Sequence, residues 1–379
     1  MQNTRNITMI LYGYFPSDIR VRKEINTLMV DKRNKITLLC LKEDSKFNSE
    51  RVNVISLKPN ITSSKRKGVF TLLSFWYLVT IFLLKQNSVD IVHAHDLTGL
   101  PPIIIPKILG KIKKVIYDSH ELFPEAANEE LGWIFGKFFL ILERICMFYV
   151  DLIVGISKEQ KNLMQRRYNK PYILLPNYPS LEEIKPFYKL TRKKLESDSI
   201  NIICHGTIKK NRNFTTILDV LHILNERNEK FFLYIIGEGP DFIKTKNYAK
   251  KLAINNICFT GRLPYSETFR YLMSGDIAIA LYDVKIYTAL TCSNKLYECM
   301  AAGIPAIFSD LQGSREIMKE TLIVRVNPNK PDQLLSALIE LANKKEYRKR
   351  ASKIGKQKFI SKYNWENVVI NLKEFYVNA

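Results

Sequence analysis

Short apolar runs alternate with helix-period segments along almost the whole chain, and this alternation limits the fold more than any other property of its 379 residues. Before residue 176, strands are expected at Ile7–Leu11, Ile36–Leu41, Val52–Leu57, Ile91–His95, Val115–Tyr117, Leu152–Val154 and Tyr172–Leu175. Helical patterns fall between most of them, which implies a parallel sheet covered on both faces. The pattern breaks over Pro176–Ser199, a charged stretch with three prolines that reads as a linker. It restarts with Ile200–Cys204, Phe231–Ile236, Ile257–Phe259, Ile277–Ala280, Ala306–Phe308 and Leu322–Val326. The expectation is therefore two doubly wound α/β domains, residues 1–178 and 199–362. A helical tail follows, with Trp365, Val368, Val369, Leu372 and Phe375 at helical spacing.

The length suits two domains of ordinary size, and a hydrophobic content of 46% excludes disorder. A formal charge of +21 favours anionic partners such as nucleotide diphosphates or an acidic membrane surface. The cations are scattered over helical segments without a nucleic-acid module, so nucleic acid is not expected as a partner. Cys40, Cys146, Cys204, Cys258, Cys292 and Cys299 lie far apart, mostly in apolar runs, and read as core residues of a reducing compartment. Met1–Arg5 lacks a signal-peptide profile, so a cytoplasmic location is expected. Val69–Leu84 is apolar except for Thr71, Ser74 and Thr80, and follows Lys65-Arg66-Lys67. It is short for a bilayer span and has two readings. One is a buried domain helix; the other is a helix lying on an anionic membrane surface, joined there by Trp133–Val150.

Open parallel sheets bind ligands beyond the carboxyl ends of their strands, and the informative residues follow strands here. Ser293 reads as the N-cap of a helix carrying Asn294, Lys295 and Leu296 in its first turn and stopped by Gly303 and Pro305. Free N–H groups beside a lysine form a phosphate site, and Glu298, one turn further, is placed to accept hydrogen bonds from a ribose diol. Gly206 ends the run Ile203-Cys204-His205-Gly206, where it lets backbone approach a phosphate; Arg212 offers forked donors for a diphosphate. Tyr234-Ile235-Ile236-Gly237-Glu238-Gly239-Pro240 and Phe259-Thr260-Gly261-Arg262-Leu263 are further strand-to-loop turns. In the first half, Val92-His93-Ala94-His95-Asp96 and Ile116-Tyr117-Asp118-Ser119-His120-Glu121 end strands, and Gly13–Glu24 forms the first strand-to-helix connection. His93 reads as core, and His95 and Asp96 as cleft residues.

These motifs resemble those of family 4 retaining glycosyltransferases, which have the GT-B fold of two Rossmann-like domains facing a central cleft. The resemblance covers nearly the whole chain and is strongest at Glu298 and Asp118–Glu121. It implies a donor domain in which Gly206, Thr207, Gly261, Arg262, Leu263, Ser293, Asn294, Lys295, Leu296 and Glu298 hold a UDP- or GDP-sugar. Arg212 takes the place of the basic residue that binds the donor diphosphate. On the acceptor side it implies Gly13, Asp18, Arg20, His95, Asp96 and Glu121, with His120 nearest the reacting carbon. His120, Arg212, Lys295 and Glu298 are the expected catalytic residues, and the last helix, 363–379, is expected to return to the first domain. Two departures stand out. Thr207 occupies a position where the family often has arginine, and Leu290 replaces a first glutamate that contacts the donor sugar.

Three histidines with Asp118 are the metal-ligand alternative, but there is no Asp-x-Asp motif and no close metal-ligand spacing, so neither a metal nor a resident cofactor is expected. The activity implied is transfer of a sugar, with retention of configuration, to a saccharide or lipid-linked saccharide of a capsule or lipopolysaccharide type of pathway. Such an enzyme would rest on the inner leaflet of the membrane. The alternatives are a nucleotide-sugar epimerase on the same fold and a degenerate nucleotide-binding subunit of a membrane-associated assembly complex.

Overall fold

The computed structural model describes residues 4–15, 18–42, 47–57, 67–290 and 292–378. Lys65 and Arg66, of the basic run before the apolar helix, lie outside the described residues. The chain forms two compact units. The first comprises residues up to Pro176 together with those from Val369 onward; the second is Asn177–Val368.

The first unit contains β1 (Arg5–Tyr14), α1 (Ile19–Leu28), β2 (Asn34–Lys42), β3 (Val52–Ser56), α2 (Lys67–Lys85), β4 (Val89–His95) and α3 (Ile104–Ile108). It continues with β5 (Ile112–Ser119), α4 (Phe123–Leu131), α5 (Trp133–Met147), β6 (Leu152–Gly155), α6 (Lys158–Tyr168) and β7 (Tyr172–Leu174). The strands form one parallel sheet in the order β3-β2-β1-β4-β5-β6-β7. The order reverses direction at β1, so the carboxyl ends of β1 and β4 border the switch point where such sheets bind ligands. Gly13, expected in the first loop, belongs to β1, which runs further than its apolar run indicated.

The second unit opens with α7 (Leu181–Ile184) and runs β8 (Ile200–His205), α8 (Phe214–Glu226), β9 (Phe231–Ile236), α9 (Phe242–Lys251), β10 (Ile257–Gly261), α10 (Tyr265–Ser274) and β11 (Ile277–Ala280). Then come α11 (Ile286–Ala289), α12 (Asn294–Ala302), β12 (Ala306–Ser309), α13 (Arg315–Glu320), β13 (Val324–Val326), α14 (Pro331–Asn343), α15 (Lys345–Ser361) and α16 (Trp365–Val368). Its sheet is also parallel, in the order β10-β9-β8-β11-β12-β13. The last strand starts later than expected because Leu322 adopts a positive φ of 56° in the turn before it.

The stretch read as a linker is built into the second unit. Ser180 Oγ accepts from Glu183 N and caps α7, Ile184 is fully buried, and Tyr188 donates to Ala301 O at 2.9 Å. α17 (Ile370–Asn378) belongs to the first unit, where Tyr376 Oη lies 2.7 Å from His93 Nδ1. None of the six cysteines, all of them among the described residues, is in a disulfide, and Cys40, Cys146, Cys204 and Cys299 are buried.

Candidate functional site

In the second unit, the carboxyl end of β8 meets the first turn of α12. Ser293 caps that helix by accepting from Lys295 N at 3.2 Å, and it also shares a short hydrogen bond with the Tyr282 hydroxyl. Leu296 is fully buried, with its N–H bonded to Ser293 O. Ser293 and Leu296 were expected to contact the donor. Instead the cap and the apolar core engage them, and Asn294 is exposed beside them.

Lys295 and Glu298 point the other way, into a cavity of about 760 Å³ that is also lined by Gly206, Thr207, Gly237, Arg262, Leu263 and Tyr265. Gly206 adopts φ +105°, and a β-carbon there would lie 2.2 Å from Lys295 Cε and 3.6 Å from Arg212 Nη2. Two cations thus converge on one bare backbone position, which is the chemistry of an oxyanion or diphosphate cradle. The Arg212 guanidinium stacks 3.9 Å from the Tyr282 ring centroid, which fixes its plane. Gly261 turns at φ +70° at the end of β10. Lys209 and Lys210 are exposed and line a separate cavity of about 690 Å³.

Glu298 Oε2 lies 2.7 Å from His205 Nε2. Burial would raise the carboxyl pKa, but the His205 hydrogen bond and the Lys295 charge overcome it and hold the group below its usual range. Burial also keeps the His205 ring neutral by lowering its pKa, against the pull of Glu298. Sequence reasoning gave His205 no role; its place at the last strand position, directly before Gly206, was the available signal.

The first unit carries a second cluster at the ends of β4 and β5. Parallel pairing sets His95 opposite Asp118. Asp118 accepts two hydrogen bonds from Arg20, at 3.0 and 2.6 Å, and lies 3.0 Å from His120 Nε2. Despite burial, Arg20 and then His120 hold Asp118 well below the usual carboxylate range. Burial alone would favour a neutral His120, but Asp96 and Asp118 together push its pKa up to about 9. His120 Nδ1 lies 3.4 Å from Asp96 Oδ2, so the ring is held between two carboxylates. Asp96 itself has φ 56° and ψ 170°, a region ordinarily reserved for glycine.

Several acceptor-side expectations change here. His95 is fully buried and touches His120 and Asp118, so it supports the site from behind instead of lining a cleft. Arg20 is 3% exposed and is consumed by Asp118, Glu24 and Leu175 O. Asp18 caps α1 by accepting from Val21 N. Glu121 is exposed in the loop after β5.

Glu24, His93, His95 and Asp118 offer four ligand atoms within 4.8 Å of one another, the one such group among the described residues. The donor types suit a divalent ion, and His93 Nε2 and His95 Nε2 have no hydrogen-bond partner. However, Arg20 grips both oxygens of Asp118 and lies 3.1 Å from Glu24 Oε1, so a cation already holds these carboxylates. Burial, then Asp118, raises the Glu24 pKa well above its usual value, which keeps that carboxyl neutral. The cluster fits an ion poorly while Arg20 is in place.

Known proteins share this fold. Residues 24–183 match the model of Glycosyltransferase Family 4, and residues 189–358 that of Glycosyl transferases group 1. An uncharacterized glycosyltransferase of Methanocaldococcus jannaschii, MJ1069, is 22% identical over 292 residues, 72% of this chain and 70% of its own. An uncharacterized 41.2 kDa protein in the cps region of Klebsiella pneumoniae is 23% identical over 264 residues, 66% of this chain and 68% of its own. Among solved structures, sucrose-phosphate synthase from Thermosynechococcus elongatus superposes with a TM-score of 0.78 at 14% identity, covering 99% of this chain and 98% of that one. Anabaena HepE, in complex with UDP and glucose, gives 0.72 at 12% identity, covering 99% and 100%. The architecture these chains share is GT-B.

Proposed function

The chain is a glycosyltransferase of the GT-B type, and we propose that it moves a hexosyl or N-acetylhexosaminyl group from a UDP- or GDP-sugar with retention of configuration. The observation that carries this reading is the convergence of Lys295 and Arg212 on Gly206, with Glu298 one turn away. The two cations, at the N-terminal turn of α12, would bind the departing diphosphate. Glu298, ionised and oriented by His205, would accept from the ribose hydroxyls. The acceptor hydroxyl would attack the face the diphosphate leaves and pass its proton to a leaving phosphate oxygen, so no protein nucleophile is required. On the acceptor side we assign His120, held protonated by Asp96 and Asp118, as the positive charge that would steady the transferred sugar.

The acceptor we assign is a saccharide or lipid-linked saccharide of a surface polymer, a reading supported by the relative from a cps region. Arg212→Ala removes a contact that strengthens as the diphosphate departs, at a cost of roughly 3 kcal/mol, or about a hundredfold in rate. Calorimetry with UDP and GDP, followed by turnover with nucleotide-sugar pools, tests the proposal. Tight binding without turnover would favour a nucleotide-binding subunit, to which Thr207 and Leu290 lend weight. Isomerisation of donor alone would point to an epimerase, and full transfer by an Arg212→Ala, Glu298→Ala double variant would remove the site from the reaction.

A further inference from the structure

The five-residue exposed stripe of α5 and its continuation runs Ile134, Phe138, Ile141, Ile145 and Phe148, at alternating spacings of four and three. Each side chain is between 46% and 81% exposed, whereas Gly136, Glu143, Cys146 and Met147 face inward. An amphipathic helix ordinarily buries its apolar stripe; this one turns it outward.

The patch extends beyond one helix. The strand steps β3→β4, β4→β5 and β5→β6 all cross the sheet in the same direction. Right-handed crossovers therefore place α2, α3, α4 and α5 on one face. Side chains agree with the topology: Tyr117 of β5 reaches Glu143 of α5, while the adjacent Asp118 points to Arg20 of α1 on the opposite face. α2 packs against α3 and exposes Val69, Phe70, Leu73 and Tyr77, and α3 exposes Ile105 and Ile108. By length and composition α2 is apolar enough to cross a bilayer. Yet Phe75, Val79 and Leu83 are fully buried in the unit, and Trp76 Nε1 donates to Thr98 O at 2.7 Å. It lies on the domain as one of its helices, with its outer side bare.

On the outer sides of α2 and α5 themselves the charge is cationic. Residues 67–85 contain no acid, and the one acid of α5, Glu143, is buried against Tyr117 and Tyr168. On the outer side of α5 stand Lys137, 4.8 Å from the Trp133 ring centroid, and Arg144, both exposed. A second copy of the chain would bring these cations against themselves in a two-fold interface, which is unfavourable. An anionic lipid surface instead meets both properties at once: apolar side chains enter the acyl boundary, and lysine and arginine reach the headgroups.

We propose that the α2–α3–α5 face of the first unit docks on an anionic membrane surface, with α5 as the principal anchor. The proposal does not depend on the donor chemistry, so its failure would leave the transferase reading untouched. The test is sedimentation of the full chain with vesicles of phosphatidylcholine alone or with a third phosphatidylglycerol, at low and high salt. Pelleting with the anionic vesicles is expected, falling several-fold in high salt. The triple variant Phe138→Ser, Ile141→Ser, Ile145→Ser should lower the bound fraction at least tenfold while its circular dichroism and nucleotide binding stay unchanged. Equal pelleting with both vesicle types, or none with either, overturns the proposal. So does a wild-type dimer that this variant converts to a monomer.

Discussion

One carboxylate, that of Asp96, holds His120 at two places: Oδ1 accepts from the backbone N–H at 3.0 Å while Oδ2 faces ring Nδ1 at 3.4 Å. The Asp96→Asn substitution keeps the shape and removes the charge, so the His120 pKa should fall from about 9 by about one to three units. Histidine NMR titration reads this directly. The raised folded value also has a stability consequence. Its contribution is complete below the unfolded pKa of about 6.5 and is lost as pH rises through about 9, on the order of 3 kcal/mol. Urea unfolding of the wild type should weaken across that window, and the Asn variant should weaken less. Identical profiles would show that Asp96 does not set the charge of the ring.

Arg20 contacts two buried carboxyls, the ionised Asp118 and the neutral Glu24, and its loss would leave Asp118 without its main counter-charge. Arg20→Met is expected to cost roughly 3–5 kcal/mol in urea unfolding. Adding Asp118→Asn should recover much of that, because the stranded charge is then gone. Since Arg20 already occupies Asp118, dialysis of the wild type against EDTA should leave its melting temperature unchanged. A drop that zinc restores would place an ion among Glu24, His93, His95 and Asp118 instead.

Gly206→Ala introduces a β-carbon where Lys295 Cε now lies and strains a φ of +105°. The lysine tail can swing away, so the stability loss should be modest, about 1 kcal/mol. Nucleotide affinity should fall much further, by about tenfold or more, because the displaced ammonium no longer meets the diphosphate. Calorimetry and thermal unfolding on the same variant separate the two effects. Equal losses would mean that the glycine serves folding alone.

His205→Ala removes the hydrogen bond that helps hold Glu298 ionised. Because the folded pKa of Glu298 is lowered, its ionised form persists below the ordinary carboxylate value and is lost as pH falls through the lowered one. The variant should bind nucleotide about tenfold more weakly, and the acid limb of its binding curve should move to higher pH. An unmoved acid limb would show that another group governs that limb.

The two sheets were legible because strand periodicity is local: each apolar run that reads as a strand is one, displaced at its ends by neighbours such as Gly13 and Leu322. The glycine and cation positions of the second unit were legible for the same reason, as they sit within a few residues of a strand end. What stayed hidden depends on distant partners. Arg20 and Asp118 are 98 residues apart, and nothing local distinguishes a buried ion pair from two ligand-facing side chains. Ser293 and Leu296 share a helix turn with Lys295, but the direction in which each side chain points is set by the core beneath them. The outward stripe of α5 carries an ordinary helical period, which does not reveal the side left uncovered.

The second unit is inserted into the first: the chain leaves at Asn177 and returns at Val369. Pro179 O accepts from Trp365 N at 3.1 Å and Glu366 accepts from Ser180 Oγ at 2.6 Å, so the outgoing and incoming segments are fastened together. During synthesis, then, the unit begun first is finished last. Until Tyr376 has been made, His93 Nδ1 lacks its partner and the α1 face of the sheet lacks a helix. A chain released from the ribosome only as far as residue 368 would therefore have its second unit whole and its first unit with the core still open.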